Sequence, residues 1–315
     1  MMNKLITTVT LNAAIDKTYW IPGFTVGTVN RTARMNTTPG GKGLNAARVI
    51  QQLGHEVMAS GVVGGWNGQH ILSMLDALDL SHKFHSVRGE SRICLNIIDD
   101  ADQSIQSTEI LEQGLTIDAA DLDQMGAIVE ELAARSAIIA FSGSLPAGAP
   151  IDWYARLINS ASKRGATVYL DTSGQALHKS LLAKPAFIKP NEDEIGVLLG
   201  IDQPTESDIQ AGVLSLMEQG IRTVAVTLGG DGAIAGHEGQ LYRVTAPRVQ
   251  AVNTVGCGDA FVGGMAVAEA RGLSIEERLA YATAVATASA MTEETGGLRL
   301  ADLDVLLPQV KVAAL

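Results

Sequence analysis

In the stretch Asn253-Thr-Val-Gly-Cys-Gly-Asp259 two glycines flank a small residue and an aspartate follows at once. The next run, Ala260-Phe-Val-Gly-Gly-Met-Ala-Val-Ala-Glu-Ala270, is small and apolar and reads as a buried helix. Glycine lets the backbone turn sharply and approach a ligand closely. A helix start leaves unpaired N–H groups and the positive end of a dipole. Together they make a cradle for an anion, with Gly256, Cys257 and Gly258 lining it and one carboxylate, Asp259, planted inside. A carboxylate there has a use if it takes a proton. Phosphoryl transfer to a hydroxyl needs a pocket for developing negative charge and a base on the attacking oxygen. This motif offers both.

Further motifs carry weaker signals. Pro39-Gly-Gly-Lys-Gly-Leu-Asn45 puts Lys42 at a helix start, which suits an anionic ligand, but its spacing is not that of a Walker A loop. Lys189-Pro-Asn-Glu-Asp-Glu194 falls where a strand gives way to a helix. Asn191 and Glu194 share a helix face there and could organise water around Mg²⁺, or simply form a capping box. Thr227-Leu-Gly-Gly-Asp-Gly232 and Ser142-Gly-Ser-Leu-Pro-Ala-Gly148 are glycine turns after apolar strands. Arg31 and Arg92 are cations suited to a phosphate, and Asp16 is an acceptor suited to sugar hydroxyls. Cys257 reads as a small residue tolerated between glycines, and His82-x-x-His85 as a loop with no metal site.

The elements that must position these groups alternate regularly. Helices at 118–135, 152–163, 192–199 and 206–219 are interleaved with apolar runs at 137–141, 167–170, 186–189 and 222–227. The first half shows the same unit, with helices at 45–53 and 70–78 around a strand at 57–61. Apolar runs without alternation, separated by amphipathic helices, predict parallel strands covered on both faces, a doubly wound α/β core. Segments 16–38 and 91–111 break the pattern with β-branched and aromatic residues and glycine turns. The second holds strands 93–98 and 107–111 around the acidic turn Asp99-Asp-Ala-Asp102. Both predict a small antiparallel sheet outside the core, placed as a flap that excludes water from the site.

The chain has 315 residues, 46% of them hydrophobic, enough for a large core. A net charge of −11 argues against nucleic acid or anionic membranes as partners, yet leaves room for a small phosphorylated ligand. Cys94 and Cys257 form no CxxC pattern and read as free thiols in the cytoplasm. No secretory signal is expected, and no run approaches a membrane span. A dehydrogenase is disfavoured because no G-x-G-x-x-G follows the first strand.

In order, Asn12-Ala-Ala-Ile-Asp16, Gly40-Gly-Lys-Gly-Leu-Asn45, Ser142-Gly-Ser-Leu-Pro, Lys189-Pro-Asn-x-x-Glu194 and Val255-Gly-x-Gly-Asp259 resemble the ribokinase-like (PfkB) sugar kinases over nearly the whole chain. The resemblance implies one kinase domain over 1–315, a doubly wound sheet with a β-sheet lid, and ATP and Mg²⁺ as cofactors. It implies Asp259 as catalytic base, with Gly256, Cys257 and Gly258 as the anion hole. Lys189, Asn191, Thr227, Gly229 and Gly232 would attend the nucleotide, and Asn191 and Glu194 the Mg²⁺ through water. Asp16, Gly41, Asn45 and Gly143 would contact the sugar; Arg31, Lys42 and Arg92 would hold its existing phosphate. Val29-Asn-Arg31, Lys42 and Glu90-Ser-Arg92 are similar to the branch with tagatose-6-phosphate kinase and 1-phosphofructokinase. Arg92-x-Cys94 and Thr108-Glu-Ile-Leu-Glu-Gln-Gly114 look more like the tagatose-6-phosphate enzymes; fructose-1-phosphate enzymes usually carry Asn at Cys94 and Lys at Asn96. The expectation is a phosphosugar kinase acting on tagatose 6-phosphate. Fructose 1-phosphate and fructose 6-phosphate are rival acceptors, and a non-catalytic sugar-phosphate sensor is the rival of another class. Lids of this family often pair between subunits, which implies a homodimer.

Overall fold

The computed structural model describes residues 5–32, 34–99, 101 and 106–315. Its strands are β1 (Ile6–Thr10), β2 (Ala14–Trp20), β3 (Arg34–Gly40), β4 (Val57–Gly64), β5 (His82–Val87), β6 (Arg92–Asp99) and β7 (Gln106–Leu111). They continue with β8 (Ile138–Ser142), β9 (Thr167–Asp171), β10 (Phe187–Ile188), β11 (Thr223–Thr227), β12 (Ala233–His237), β13 (Gln240–Thr245) and β14 (Lys311–Ala314). The helices of the first half are α1 (Lys42–Gln52), α2 (Gly65–Ala77), α3 (Ala119–Ala133) and α4 (Trp153–Lys163). Those of the second are α5 (Gly174–Ser180), α6 (Glu192–Leu199), α7 (Glu206–Glu218), α8 (Cys257–Ala270), α9 (Ile275–Ala290) and α10 (Leu300–Leu306).

The large sheet has the order β14-β13-β12-β11-β10-β9-β8-β1-β4-β5. It is parallel from β5 to β11 and antiparallel from β11 to β14. The apolar runs are explained by its two faces. Ile138 and Ala140 of β8 pack into one core with α1, α8 and α9, while Ile139 and Phe141 pack into the other with α4 and α7. A strand buried on both faces has no polar side to alternate with.

Gly61 lets β4 pass close to β1. Its φ is +146°, and a Cβ there would lie 1.9 Å from the Thr10 carbonyl oxygen. Gly61→Ala is expected to cost ~2 kcal/mol or more, from strained backbone and parted strands. A urea midpoint equal to wild type would refute this.

The sequence-derived doubly wound core is present, with three local differences. The helix expected from residue 45 begins at Lys42, because Gly41, at φ +101°, turns the chain one step earlier. The segment holding His82 and His85, read as a loop, is edge strand β5; each imidazole meets a carboxylate, Asp76 at 3.0 Å and Asp121 at 2.9 Å. The small sheet has the order β3-β2-β6-β7, and its β2–β6 pair is parallel, so it is mixed rather than antiparallel. Both hairpins leave the core through their first strand, and those two strands join side by side. Asp100 and Asp102 of the acidic turn lie outside the described residues. Among the described residues no helix is long and apolar enough to cross a membrane.

Candidate active site

A cleft of about 1070 Å³ runs between the carboxyl ends of the parallel strands and the small sheet. Open parallel sheets bind ligands at this edge, where loops and helix starts converge. Asp259 stands in the first turn of α8 and is buried. Gly256, at φ +84°, turns the chain into the helix, and a Cβ there would meet Thr295 at 2.8 Å. Residues 259–268 of α8 are all buried. They can be because Gly263 lies against Ala46 of α1, and Gly264 against Ala282 and Val285 of α9.

Asn45 Nδ2 donates to Asp259 Oδ2 at 2.9 Å and fixes the carboxylate. Burial pushes the Asp259 carboxyl up to about 7, with Lys42 working downward and Asp171 upward. A carboxyl held there can take up or release a proton near neutral pH. Burial likewise pushes the neighbouring Cys257 thiol up to about 12, so it stays protonated and is no nucleophile.

Behind Asp259 lies a charge cluster. Lys42 Nζ is 3.2 Å from Asp171 Oδ1 and 3.8 Å from Glu194 Oε1, and Lys189 Nζ is 3.5 Å from Asp171 Oδ1. The Asp171 charge holds Lys42 above its usual range. Burial pushes the Asp171 carboxyl up, but the charges of Lys189 and Lys42 outweigh it and hold it below the usual carboxylate range. A Cβ on Gly258 would lie 3.1 Å from Lys189 Nζ, so this ammonium reaches the start of α8 and adds positive charge there.

Asp16 lies against the Gly40-Gly41 turn; a Cβ on Gly40 would fall 2.0 Å from its carboxyl carbon. Burial pushes Asp16 up to about 6, opposed by Arg92 and by the Gly41 N–H. Arg92 Nε donates to the Asn12 carbonyl oxygen at 3.1 Å. At the other end, Thr227 lies beside Asn191 in a single bridge, and the turn through Gly229 and Gly232 closes with Leu228 N–H donating to the Gly232 carbonyl at 2.9 Å.

The cleft thus gathers Asp16, Gly41, Lys42, Asn45, Arg92, Gly143, Lys189, Asn191, Thr227, Gly229, Gly232 and the 256–259 run. Lys42 stands with Asp171 and Asp259, at the α8 end of the cleft, whereas Arg92 reaches the Asn12 carbonyl. Arg31 and Glu194 are the exceptions: neither lines the cleft, and Arg31 sits exposed on the β2–β3 connection. That connection carries it past the tip of the small sheet. Glu194 stands behind Asn191, and the two form the capping box of α6. The residue missed in the sequence is Asp171; its signal was an acidic residue closing an apolar strand, Thr-Val-Tyr-Leu-Asp171.

The donor set bears on Mg²⁺. The Asn191 amide oxygen is spent on the Glu194 N–H at 2.7 Å, and Glu194 Oε2 on the Asn191 N–H at 2.9 Å. Glu194 Oε1 keeps only its longer contact to Lys42, and Asp171 Oδ2 is buried with no partner. Few protein oxygens with room for water fit an ion that keeps several waters and binds mainly through phosphates.

A raised carboxyl at a helix start, with the half-buried Lys42 and the buried Lys189 nearby and a polar cleft in front, fits a phosphotransferase that acts on an alcohol. The chain belongs to the pfkB family of carbohydrate kinases, whose family model matches residues 7–299. It is 35% identical over 311 residues to the tagatose-6-phosphate kinase of Staphylococcus epidermidis, covering 98% of this chain and 99% of that one. Among solved structures it is similar to phosphofructokinase-2 of Escherichia coli in complex with substrates and products. That match has a TM-score of 0.90, 26% identity, and coverage of 96% of this chain and 98% of the other. A tetrameric inhibited form of the same enzyme matches at a TM-score of 0.88 with 26% identity and the same coverage.

Proposed function

We propose that the protein transfers the γ-phosphoryl group of ATP to the C1 hydroxyl of tagatose 6-phosphate, giving tagatose 1,6-bisphosphate and ADP. The observation that carries the chemistry is Asp259, buried, held by Asn45 and placed in the anion cradle of α8. The acceptor follows from the similarity to tagatose-6-phosphate kinase and from Arg92 and Cys94 lining the cleft.

Asp259 takes the proton from the attacking hydroxyl. The backbone N–H groups at Gly256, Cys257 and Gly258 receive the charge on the transferring group, with Lys42 and Lys189 beside them. The nucleotide lies along Asn191, Thr227, Gly229 and Gly232. Glu194 would hold Mg²⁺ through water, and the ion would supply charge neutralisation on the phosphates. Asp16, Gly41, Asn45 and Gly143 contact the sugar, and Arg92 its existing phosphate. The small sheet is the lid of a single kinase domain. Two copies pair through it, which would give Arg31 at its tip a partner's cleft to serve. The protein works in the cytoplasm, where sugar phosphates are made and thiols such as Cys94 stay reduced.

ADP release with Mg·ATP tests the reading, comparing tagatose 6-phosphate, fructose 1-phosphate, fructose 6-phosphate and unphosphorylated sugars by kcat/KM. Tagatose 6-phosphate is expected to lead. Preference for either fructose phosphate overturns the acceptor alone. Turnover of free sugars only overturns the phosphate role of Arg92, and no turnover at all overturns the enzyme.

A further inference from the structure

The inner face of the small sheet carries a donor with nothing to donate to. Asn96 of β6 is 6% exposed and lines the cleft, yet its Nδ2 has no partner. Its amide is oriented, because Ser107 Oγ donates to Asn96 Oδ1 at 2.6 Å. The free end is therefore the NH₂ group. Leaving such a donor unmade in a buried site is costly, so its place is filled when ligand binds.

Register supplies the second half. Thr18, Asn96 and Glu109 form one row across β2, β6 and β7, and all three line the cleft. Residues directly opposite on one face have Cβ atoms ~5 Å apart, so an amide donor and a carboxylate acceptor stand together. The neighbouring row, Asp16, Cys94 and Leu111, lies ~7 Å nearer the core. A phosphate offers only acceptors and would be repelled by Glu109. A hydroxyl accepts and donates at once, and matches the pair.

We propose that Asn96 and Glu109 read one hydroxyl of the acceptor sugar, Asn96 Nδ2 donating to it and Glu109 accepting from it, and so set the stereochemical preference. This rests on the sugar-phosphate kinase reading above. An epimer that turns this hydroxyl away leaves the Asn96 amide and its own hydroxyl unpaired, which is how polar sites discriminate strongly.

The test is kcat/KM for fructose 6-phosphate and its C3, C4 and C5 epimers, with wild type, Asn96→Ala, Ser107→Ala and Glu109→Gln. Asn96→Ala is expected to lower the value for the preferred acceptor by ~10- to 100-fold and to collapse the ratio for one epimer pair, leaving the KM for ATP unchanged. Glu109→Gln should collapse the same ratio, and Ser107→Ala should weaken it. Ser107 and Glu109 lie exposed on β7, so these two variants carry the test even if Asn96→Ala lowers the melting temperature. Equal loss for all epimers, no loss, or collapse of different ratios in Asn96→Ala and Glu109→Gln would overturn the pair while leaving the kinase intact. Wild-type turnover of none of these phosphates or of the others named above would instead overturn the reading on which the pair depends.

Discussion

Asp259→Asn lowers kcat by at least ~10²-fold while KM for both substrates stays within a few-fold, because the variant keeps the shape and the Asn45 contact but not the base. In wild type, kcat/KM falls with acid below about 7, where the raised carboxyl becomes protonated and can no longer accept. That acid limb is absent from the variant. The sign for stability runs the other way. The folded state binds this proton more tightly than the unfolded chain, so the contribution is fully present below 3.8, the ordinary value for an aspartate, and is lost as pH rises through about 7. A variant with near-normal turnover, or one that keeps the acid limb, would remove Asp259 from the role of base.

The second large effect belongs to Asp171. Asp171→Ala leaves Lys189, 4% exposed, with a buried charge and without its ion-pair partner. Breaking a buried pair in this way costs ~3–5 kcal/mol. The lower end is expected, since Lys42 still has Glu194 at 3.8 Å. Urea denaturation reads the loss directly. Asp171→Asn combined with Lys189→Met should recover part of it by removing both charges together. A midpoint for Asp171→Ala within error of wild type would show that the cluster contributes nothing to stability.

These two residues differ in how visible they were before the fold was known. Asp259 is legible because its neighbours in the chain are also its neighbours in space: glycines, base and buried helix are consecutive. Asp171 closes an ordinary buried strand, and its partners Lys42 and Lys189 come from other elements, so only the β1–β8–β9–β10 order, with α1 packed against β1, brings the three together. The layered core was readable from unalternating apolar runs, but the way the two hairpins join was not. Nothing local to β2 or β6 states that they lie side by side and parallel. The place of Arg31 was hidden for a related reason. A charge on a connection between Trp20 and Arg34 has the right chemistry and no stated direction. Asn96 was visible as a residue type, and its missing partner only as a consequence of register.

Helix α8, which carries Asp259, has little room to yield. A side chain added at Gly263 would push on α1, and one at Gly264 on α9. Strand β7, which holds Glu109, is exposed along its whole length. A lineage can therefore try new residues on β7 at little cost to folding, while the machinery for making the bond is inherited as a block with the core. New acceptors would arise at the rim of such a protein, and the old reaction would persist beneath them.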